Sequence, residues 1–287
     1  MKILLTGANG QLGKSFQDRV PKEIELIALS SKELDITAPN QIETLMKDHR
    51  PDYVVNAAAY TAVDLAETEV DKAREVNALG VRYLSEACHK NNTKLIHIST
   101  DYVFDGTSNF PYSEDMDLSP INVYGRTKLE GEQAIIRSGV DYVILRTAWV
   151  FSEYGSNFLK TMMKLGAEKE KLGVVSDQMG CPTYAGDIAE AIISIIKAGH
   201  KKNEILHFGG DQSTSWADFA KFIFKAAHDQ GKLDHKVEVN FIRTIEYPTP
   251  AARPKNSILN SKKIKSLYGI NASNWQEAVL DIIKKHY

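Results

Sequence analysis

Five short apolar runs alternate with segments of helical spacing through the first 150 residues, and this rhythm limits the fold more than any other feature of the chain. Strands are predicted over Lys2–Thr6, Glu25–Leu29, 53–58, 95–100 and Tyr142–Thr147. Helices are predicted over Gln11–Arg19, Pro39–His49, 70–91 and 120–137, the last with Ser119 as N-cap and Pro120 at its first position. Strand–helix alternation demands crossover connections, hence a parallel sheet covered on both faces. Such sheets bind ligands beyond the carboxyl ends of their strands. After residue 150 the rhythm loosens into helices over 158–165, Ala185–Ala198, 216–230 and 275–284, strands over 172–176, 205–208 and 237–242, and a Pro-rich stretch at 248–254.

The first strand runs into Gly7-Ala8-Asn9-Gly10-Gln11-Leu12-Gly13. Glycines three apart between a strand and a helix permit a tight turn, close backbone approach and close helix packing, which suits a pyrophosphate at the helix N-terminus. The expected fold class is therefore α/β: a Rossmann-like doubly wound parallel sheet over 1–150, with a smaller mixed α/β substrate-binding domain over 151–287, some of whose elements return to the first sheet. A tight turn without a ligand explains the same glycines. So does a relaxed phosphate loop of a nucleotide hydrolase, in which Lys14 would reach phosphates, Ser15 would hold Mg²⁺ and Asp101 would serve the metal.

Val123-Tyr124-Gly125-Arg126-Thr127-Lys128 sets Tyr124 and Lys128 four apart, on one helical face. Of the 12 tyrosines only Tyr124 has a lysine at that spacing. A nearby ammonium favours the phenolate and is expected to lower a pKa that starts near about 10, bringing the hydroxyl toward proton transfer at neutral pH. The fourth strand ends in Ser99-Thr100-Asp101-Tyr102, and Thr100 at that end could polarise a carbonyl beside Tyr124. An exposed Tyr–Lys pair and a turn hydroxyl are the plainer explanations. Two hydroxyls and a cation, Ser30-Ser31-Lys32, follow the second strand. An acidic residue there would repel the 2′-phosphate of NADPH, so NADPH is expected to be preferred, with NADH possible.

Other classes are disfavoured. The 35 Lys plus Arg against 37 Asp plus Glu give a net charge of −2 and no basic field for nucleic acid. Two cysteines, Cys88 and Cys181, support neither a disulfide framework nor a zinc site, and the histidines lack metal spacing. His97, alone inside the fourth strand, reads as a core residue. No apolar stretch reaches the ~18 residues of a membrane span, and the opening run reads as a strand rather than a signal peptide. A cytoplasmic location follows as the expectation, with no metal required.

The Gly loop at strand one, Ser-Thr at strand four and Tyr-x-x-x-Lys on the next helix together resemble the extended short-chain dehydrogenase/reductase superfamily. Within it the chain is similar to the dTDP-4-dehydrorhamnose reductase family, through blocks that span nearly its whole length: 6–13, 34–36, 56–64, 99–106, 124–132, 146–151, 177–183, and Arg253-Pro254 before Asn256-Ser257. The resemblance implies that Gly10, Gln11 and Leu12 contact the cofactor pyrophosphate, that Asp35 and Ile36 flank the adenine, and that Ala57, Ala58, Ala59 and Tyr60 line the dinucleotide. It implies a catalytic set of Thr100, Tyr124 and Lys128, with Lys128 also on the nicotinamide ribose and Asn77 bracing Lys128 through water. It makes Thr100, Asp101 and Tyr102 substrate neighbours, packs Trp149 on the deoxysugar ring and sets Arg253 on the diphosphate of a dTDP-sugar. Simpler roles stand beside these: an Asp-Ile helix cap, tight alanine packing, a core Trp, a solvated Arg.

Three expectations follow from that likeness. The activity is reduction of the C4 ketone of dTDP-4-dehydro-L-rhamnose, or of another nucleotide 4-keto-deoxysugar. The rival is a non-catalytic, NADP-binding regulatory subunit, like the relative that serves methionine adenosyltransferase. Some members dimerise around Mg²⁺ through a Glu where this chain has Ser15, so a monomer or weak homodimer is expected.

Overall fold

The computed structural model describes residues 1–200 and 203–287. Its centre is a six-stranded, all-parallel sheet built from β1 (Lys2–Thr6), β2 (Glu25–Leu29), β3 (Tyr53–Asn56), β4 (Lys94–Thr100), β5 (Tyr142–Thr147) and β10 (Glu204–His207), in the order β10-β5-β4-β3-β1-β2. The chain moves outward from β1 to β2, then reverses past β1 to β3. The order therefore switches between β1 and β3, where a doubly wound sheet opens its ligand crevice. The fold is Rossmann-like.

Both faces are covered, so the strands are mostly apolar, with most of their buried polar residues gathered toward the carboxyl ends. Ile3 and Leu5 join one core with α1 (Gln11–Arg19) and α8 (Ala185–Ala198), while Leu4 joins the other with α2 (Pro39–His49) and α5 (Val81–Lys90). Strand pleating accounts for this alternation. The predicted helix over 70–91 is continuous but not uniform: α4 (Val70–Arg74) passes through a π-turn at Glu75–Gly80 into α5. A short α3 (Val63–Ala66) precedes it. The helix predicted over 120–137 instead runs as α6 (Val123–Ser138). Asn122 is the N-cap, accepting from Gly125 N at 2.8 Å, because Ser119 N is drawn to Val103 O and holds the preceding segment against the turn after β4.

Beyond β5 come the short β6 (Val150–Phe151), α7 (Phe158–Glu168), β7 (Lys171–Val175), β8 (Met179–Gly180) and β9 (Thr183–Tyr184). After α8 and β10 follow β11 (Thr214–Ser215), α9 (Trp216–Asp229), β12 (Glu238–Ile242), α10 (Lys262–Tyr268) and α11 (Trp275–His286). Helices α7, α9 and α11 share a separate apolar core, with β7 and β12 paired in parallel beside it. The two-residue strands β6, β8, β9 and β11, the short α3 and α10 carry no periodic signal and were not expected from the sequence.

Candidate active site

The β1 turn is shaped by close backbone contact. Gly7 has φ +69°, and a Cβ there would lie 2.7 Å from the backbone of Ala57 and Ala58. A Cβ on Gly13 would lie 2.2 Å from Gly7 O. Gly10 is the N-cap of α1, and no side chain caps the helix, so its first N–H groups are open to an anion. Leu12 buries its side chain in the core and offers the crevice only backbone. Gln11 turns toward the segment between β6 and α7, where its Oε1 accepts from Ser152 Oγ at 3.1 Å and Asn157 Nδ2 at 2.9 Å. Lys14 lies over the Tyr154 ring, and Ser15 is fully buried inside α1. The hydrolase reading therefore fails: Ser15 has no route to a metal. Among the described residues no group of three His, Cys, Asp or Glu could hold a metal ion.

At the end of β2, Ser31 and Lys32 are exposed. Sequence reasoning passed over Glu33, which lies beside them. Its carboxylate accepts from both the N–H and the hydroxyl of Ser30 at 2.8 Å, and these bonds hold its pKa below the ordinary value. The Ser-x-x-Glu spacing could have flagged it, since that pairing closes a turn. Asp35 likewise closes a turn, accepting from Thr37 N and Oγ1, while Ile36 is buried against Gly80. Ala57, Ala58, Ala59 and Tyr60 form a half-buried rim at the end of β3. Asn77, in the π-turn, bonds Tyr60 N, Tyr60 O and Thr127 Oγ1. Its amide is thus spent on the rim and on Thr127, the neighbour of Lys128.

Thr100, Asp101, Tyr102 and Tyr124 meet where β4 ends and α6 begins. A Cβ on Gly125 would lie 2.2 Å from Tyr102 O, so glycine lets the helix start against this turn. Thr100 Oγ1 donates to Asp101 Oδ1 at 2.9 Å, and the Tyr102 and Tyr124 rings meet edge-on at 5.5 Å. Burial pushes the Asp101 carboxyl up to about 7. Tyr124 departs from expectation. Its hydroxyl is pushed up to about 12, first by burial and then by the Asp101 carboxylate, against a lowering hydrogen bond with Thr100. Lys128 does not lower it, because its amine turns to the sheet: Nζ donates to Ile98 O at 2.7 Å and lies 3.3 Å from His97 Nε2. Burial brings Lys128 down to about 8, partly offset by Glu132. In this state Tyr124 is a protonated phenol.

A cavity of about 400 Å³ adjoins Tyr102 and reaches Trp149, Trp216, Gln178, Tyr247 and Arg253. Trp149 adopts φ +49° and stacks on Trp216 with ring centres 3.4 Å apart. Trp216 carried no sequence signal beyond that of a helix residue. Arg253 donates to Asp64 Oδ2 at 2.8 Å and to Ala251 O at 3.1 Å, so its guanidinium is engaged by the protein. Asp64 was legible only as part of a block, without a role. The structure thus brings Tyr102, Trp149 and Arg253 to one cavity, while Thr100, Asp101 and Tyr124 meet at the end of β4 and do not line it.

Below α6 lies a buried ion pair. Arg146 on β5 grips Glu132 bidentately, Nε to Oε1 at 2.9 Å and Nη2 to Oε2 at 2.7 Å, with both side chains 1% exposed. Ser99 Oγ donates to Glu132 Oε1.

The model of the RmlD substrate binding domain matches residues 1–287. The dTDP-4-dehydrorhamnose reductase of Aggregatibacter actinomycetemcomitans is 45% identical over 287 residues, covering 98% of each chain. A dTDP-4-dehydrorhamnose reductase structure from Clostridium acetobutylicum superposes with a TM-score of 0.92 at 38% identity, covering 99% of this chain and 98% of that one. The Bacillus anthracis dTDP-4-dehydrorhamnose reductase, solved in complex with NADP, gives a TM-score of 0.91 at 38% identity over 98% of each chain.

Proposed function

This chain belongs to the RmlD substrate-binding-domain family, and on that premise we propose that it reduces the C4 ketone of dTDP-4-dehydro-L-rhamnose to dTDP-L-rhamnose with NADPH. The observation that carries the reading is Tyr124 beside Thr100 at the end of β4, with Lys128 one turn along the same helix, in a chain whose α1 start is uncapped and shaped by glycine and whose cavity is walled by Tyr102, Trp149 and Arg253. The crevice residues fit a dinucleotide. Side chains on Gly7 or Gly13 would collide with backbone, and the open α1 N-terminus suits a diphosphate.

The cofactor supplies the hydride when bound. Tyr124 gives its phenolic proton to the oxygen that forms at C4, and a hydroxyl kept protonated by burial is the correct form for a donor. Thr100 Oγ1 holds the same oxygen. Lys128 serves the ribose hydroxyls and, as an ammonium, steadies the phenolate left on Tyr124. Trp149 offers its face to the sugar ring, and Arg253, released from Asp64, pairs with the nucleotide diphosphate. Fixing the nucleotide handle orients the ketone before the chemistry.

The test is incubation with NADPH and a panel of dTDP- and UDP-linked 4-keto-deoxysugars, following the reduced-cofactor absorbance. Oxidation with the dTDP-4-keto sugar is expected. Tight NADPH binding without reduction of any sugar would turn the reading to the regulatory subunit. Among the described residues no helix is long and apolar enough to cross a membrane. The same proposal places the chain in a reducing cytoplasm, a setting supported by its two buried free cysteines, as a monomer or weak homodimer.

Two smaller effects follow. Ser15 is buried and no carboxylate replaces it, so activity should survive EDTA and gain nothing from added Mg²⁺. Restoration by Mg²⁺ after a loss in EDTA would contradict this. Lys32 is an exposed cation beside the Glu33 carboxylate. Lys32→Glu changes the local charge by two units at roughly 1 kcal/mol each in water, so the NADPH-to-NADH ratio of kcat/KM should fall about 30-fold. An unchanged ratio would remove Lys32 from cofactor choice.

A further inference from the structure

Thr6, Asn56 and His97 occupy one row across β1, β3 and β4, since Thr6 registers with Asn56 and Asn56 with His97. Their side chains form a buried file that ends on Lys128. Thr6 Oγ1 donates to Asn56 Oδ1 at 2.6 Å, Asn56 Nδ2 meets His97 Nδ1 at 2.9 Å, and His97 Nε2 meets Lys128 Nζ at 3.3 Å. None of the four is more than 2% exposed.

The backbone sets the direction of this file. Ala58 N–H can only donate, and it is shared between Asn56 Oδ1 at 3.2 Å and Thr6 Oγ1 at 3.3 Å. The amide oxygen of Asn56 therefore faces Thr6 and Ala58, and its NH₂ faces His97. An NH₂ only donates, so His97 Nδ1 accepts, and a neutral imidazole then carries its proton on Nε2. Burial keeps His97 neutral, well below the ordinary histidine range, and any charge on Lys128 acts in the same direction. The Nε2–H is aimed at the Lys128 amine. An ammonium has no lone pair to receive it. An amine receives it and still donates to Ile98 O at 2.7 Å.

We propose that His97 is a positioning residue for Lys128: the Nε2–H that Asn56 imposes on it opposes protonation of the lysine and favours its amine form against β4 until the ligands of the crevice draw it out. The other charged groups around this corner do not supply that function. Glu132 on α6 favours a charged lysine but is gripped by Arg146 of β5. Tyr124, one turn earlier on α6, is a neutral phenol, and Asp101 in the turn after β4 acts on Tyr124. The role of Lys128 in reduction rests on the function proposed above, but its state in the free protein does not.

The experiment is a pH titration of the cofactor-free protein carrying ¹³Cε-lysine, with the Lys128 resonance assigned from Lys128→Met. The unmutated protein should titrate near pH 8. His97→Asn keeps an acceptor near Nδ1 and loses the donor to Lys128, so the midpoint should rise by about one pH unit or more. His97→Gln places an amide N–H near the position of Nε2 and should restore the original midpoint. A midpoint unmoved in His97→Asn, or not restored in His97→Gln, would overturn the proposal. Should either variant fail to fold, ¹⁵N correlation of the His97 ring in the unmutated protein decides: a proton on Nε2 is expected, and one on Nδ1 would overturn it. A protein that reduced no 4-keto sugar yet gave these titrations would lose the proposed function and keep this inference. The reverse pattern would do the opposite.

Discussion

Tyr124→Phe should fold, bind NADPH with nearly unchanged affinity, and turn over the 4-keto sugar about 10²–10⁴ times more slowly. The substitution removes one hydroxyl and keeps the ring that meets Tyr102 edge-on. The proton matters as the alkoxide forms, so the loss should lie in kcat rather than in KM. Steady-state kinetics beside fluorescence titration with NADPH separate these quantities. Near-normal turnover would mean that the proton comes from elsewhere. Asp101, raised to about 7 by burial and hydrogen-bonded to Thr100, would then be the carboxyl to substitute next.

The largest loss of stability is expected from Arg146→Met. It leaves Glu132 buried, with only the Ser99 hydroxyl to satisfy a charge that the guanidinium had gripped with two bonds. Removing one partner of a buried pair costs about 3–5 kcal/mol, a large part of the roughly 5–15 kcal/mol that holds a domain folded. The double variant Arg146→Met with Glu132→Leu removes both charges and should recover most of the loss, because the original pair also bears the cost of leaving water. Urea unfolding at pH 7 measures both. If the two variants were equally unstable, the cause would be packing around α6 and β5 rather than the stranded carboxylate.

The parallel sheet was legible because its strands are predominantly apolar on both faces and its helices are amphipathic, signals that survive in a single sequence. Lys2–Thr6, Gln11–Arg19, Pro39–His49 and Ala185–Ala198 lie where their patterns put them. The start of α6 was misplaced because Ser119-Pro120 and Asn122 are both acceptable openings, and the choice between them is made by a contact with Val103 distant in sequence. Gly7, Tyr124 and Lys128 could be found from spacing alone. The direction of the Lys128 amine could not, because it depends on His97, Ile98 and a sheet register that i and i+4 counting does not see. Asp64 and Trp216 were hidden for a similar reason: their partners Arg253 and Trp149 lie far along the chain.

The return of β10 to the edge beside β5 has a consequence for the order in which this molecule can form on the ribosome. Until residues 204–207 have emerged, β5, buried along its whole length in the finished protein, is an open edge offering Val143, Ile144 and Leu145 to any passing strand. The α1 side of the sheet waits as well, since Leu12 and Phe16 are covered by Ile188 and Ile192 of α8. A nascent chain halted near residue 150 thus holds the glycine loop and the Tyr–Lys pair but neither β10, which covers the β5 edge, nor α8, which covers α1. At the usual pace of synthesis, about 5–20 residues per second, the exposed interval lasts several seconds. Chaperone demand should therefore peak before α8 and β10 are made, and a slow codon cluster between β5 and β10 would lengthen the hazard rather than aid folding.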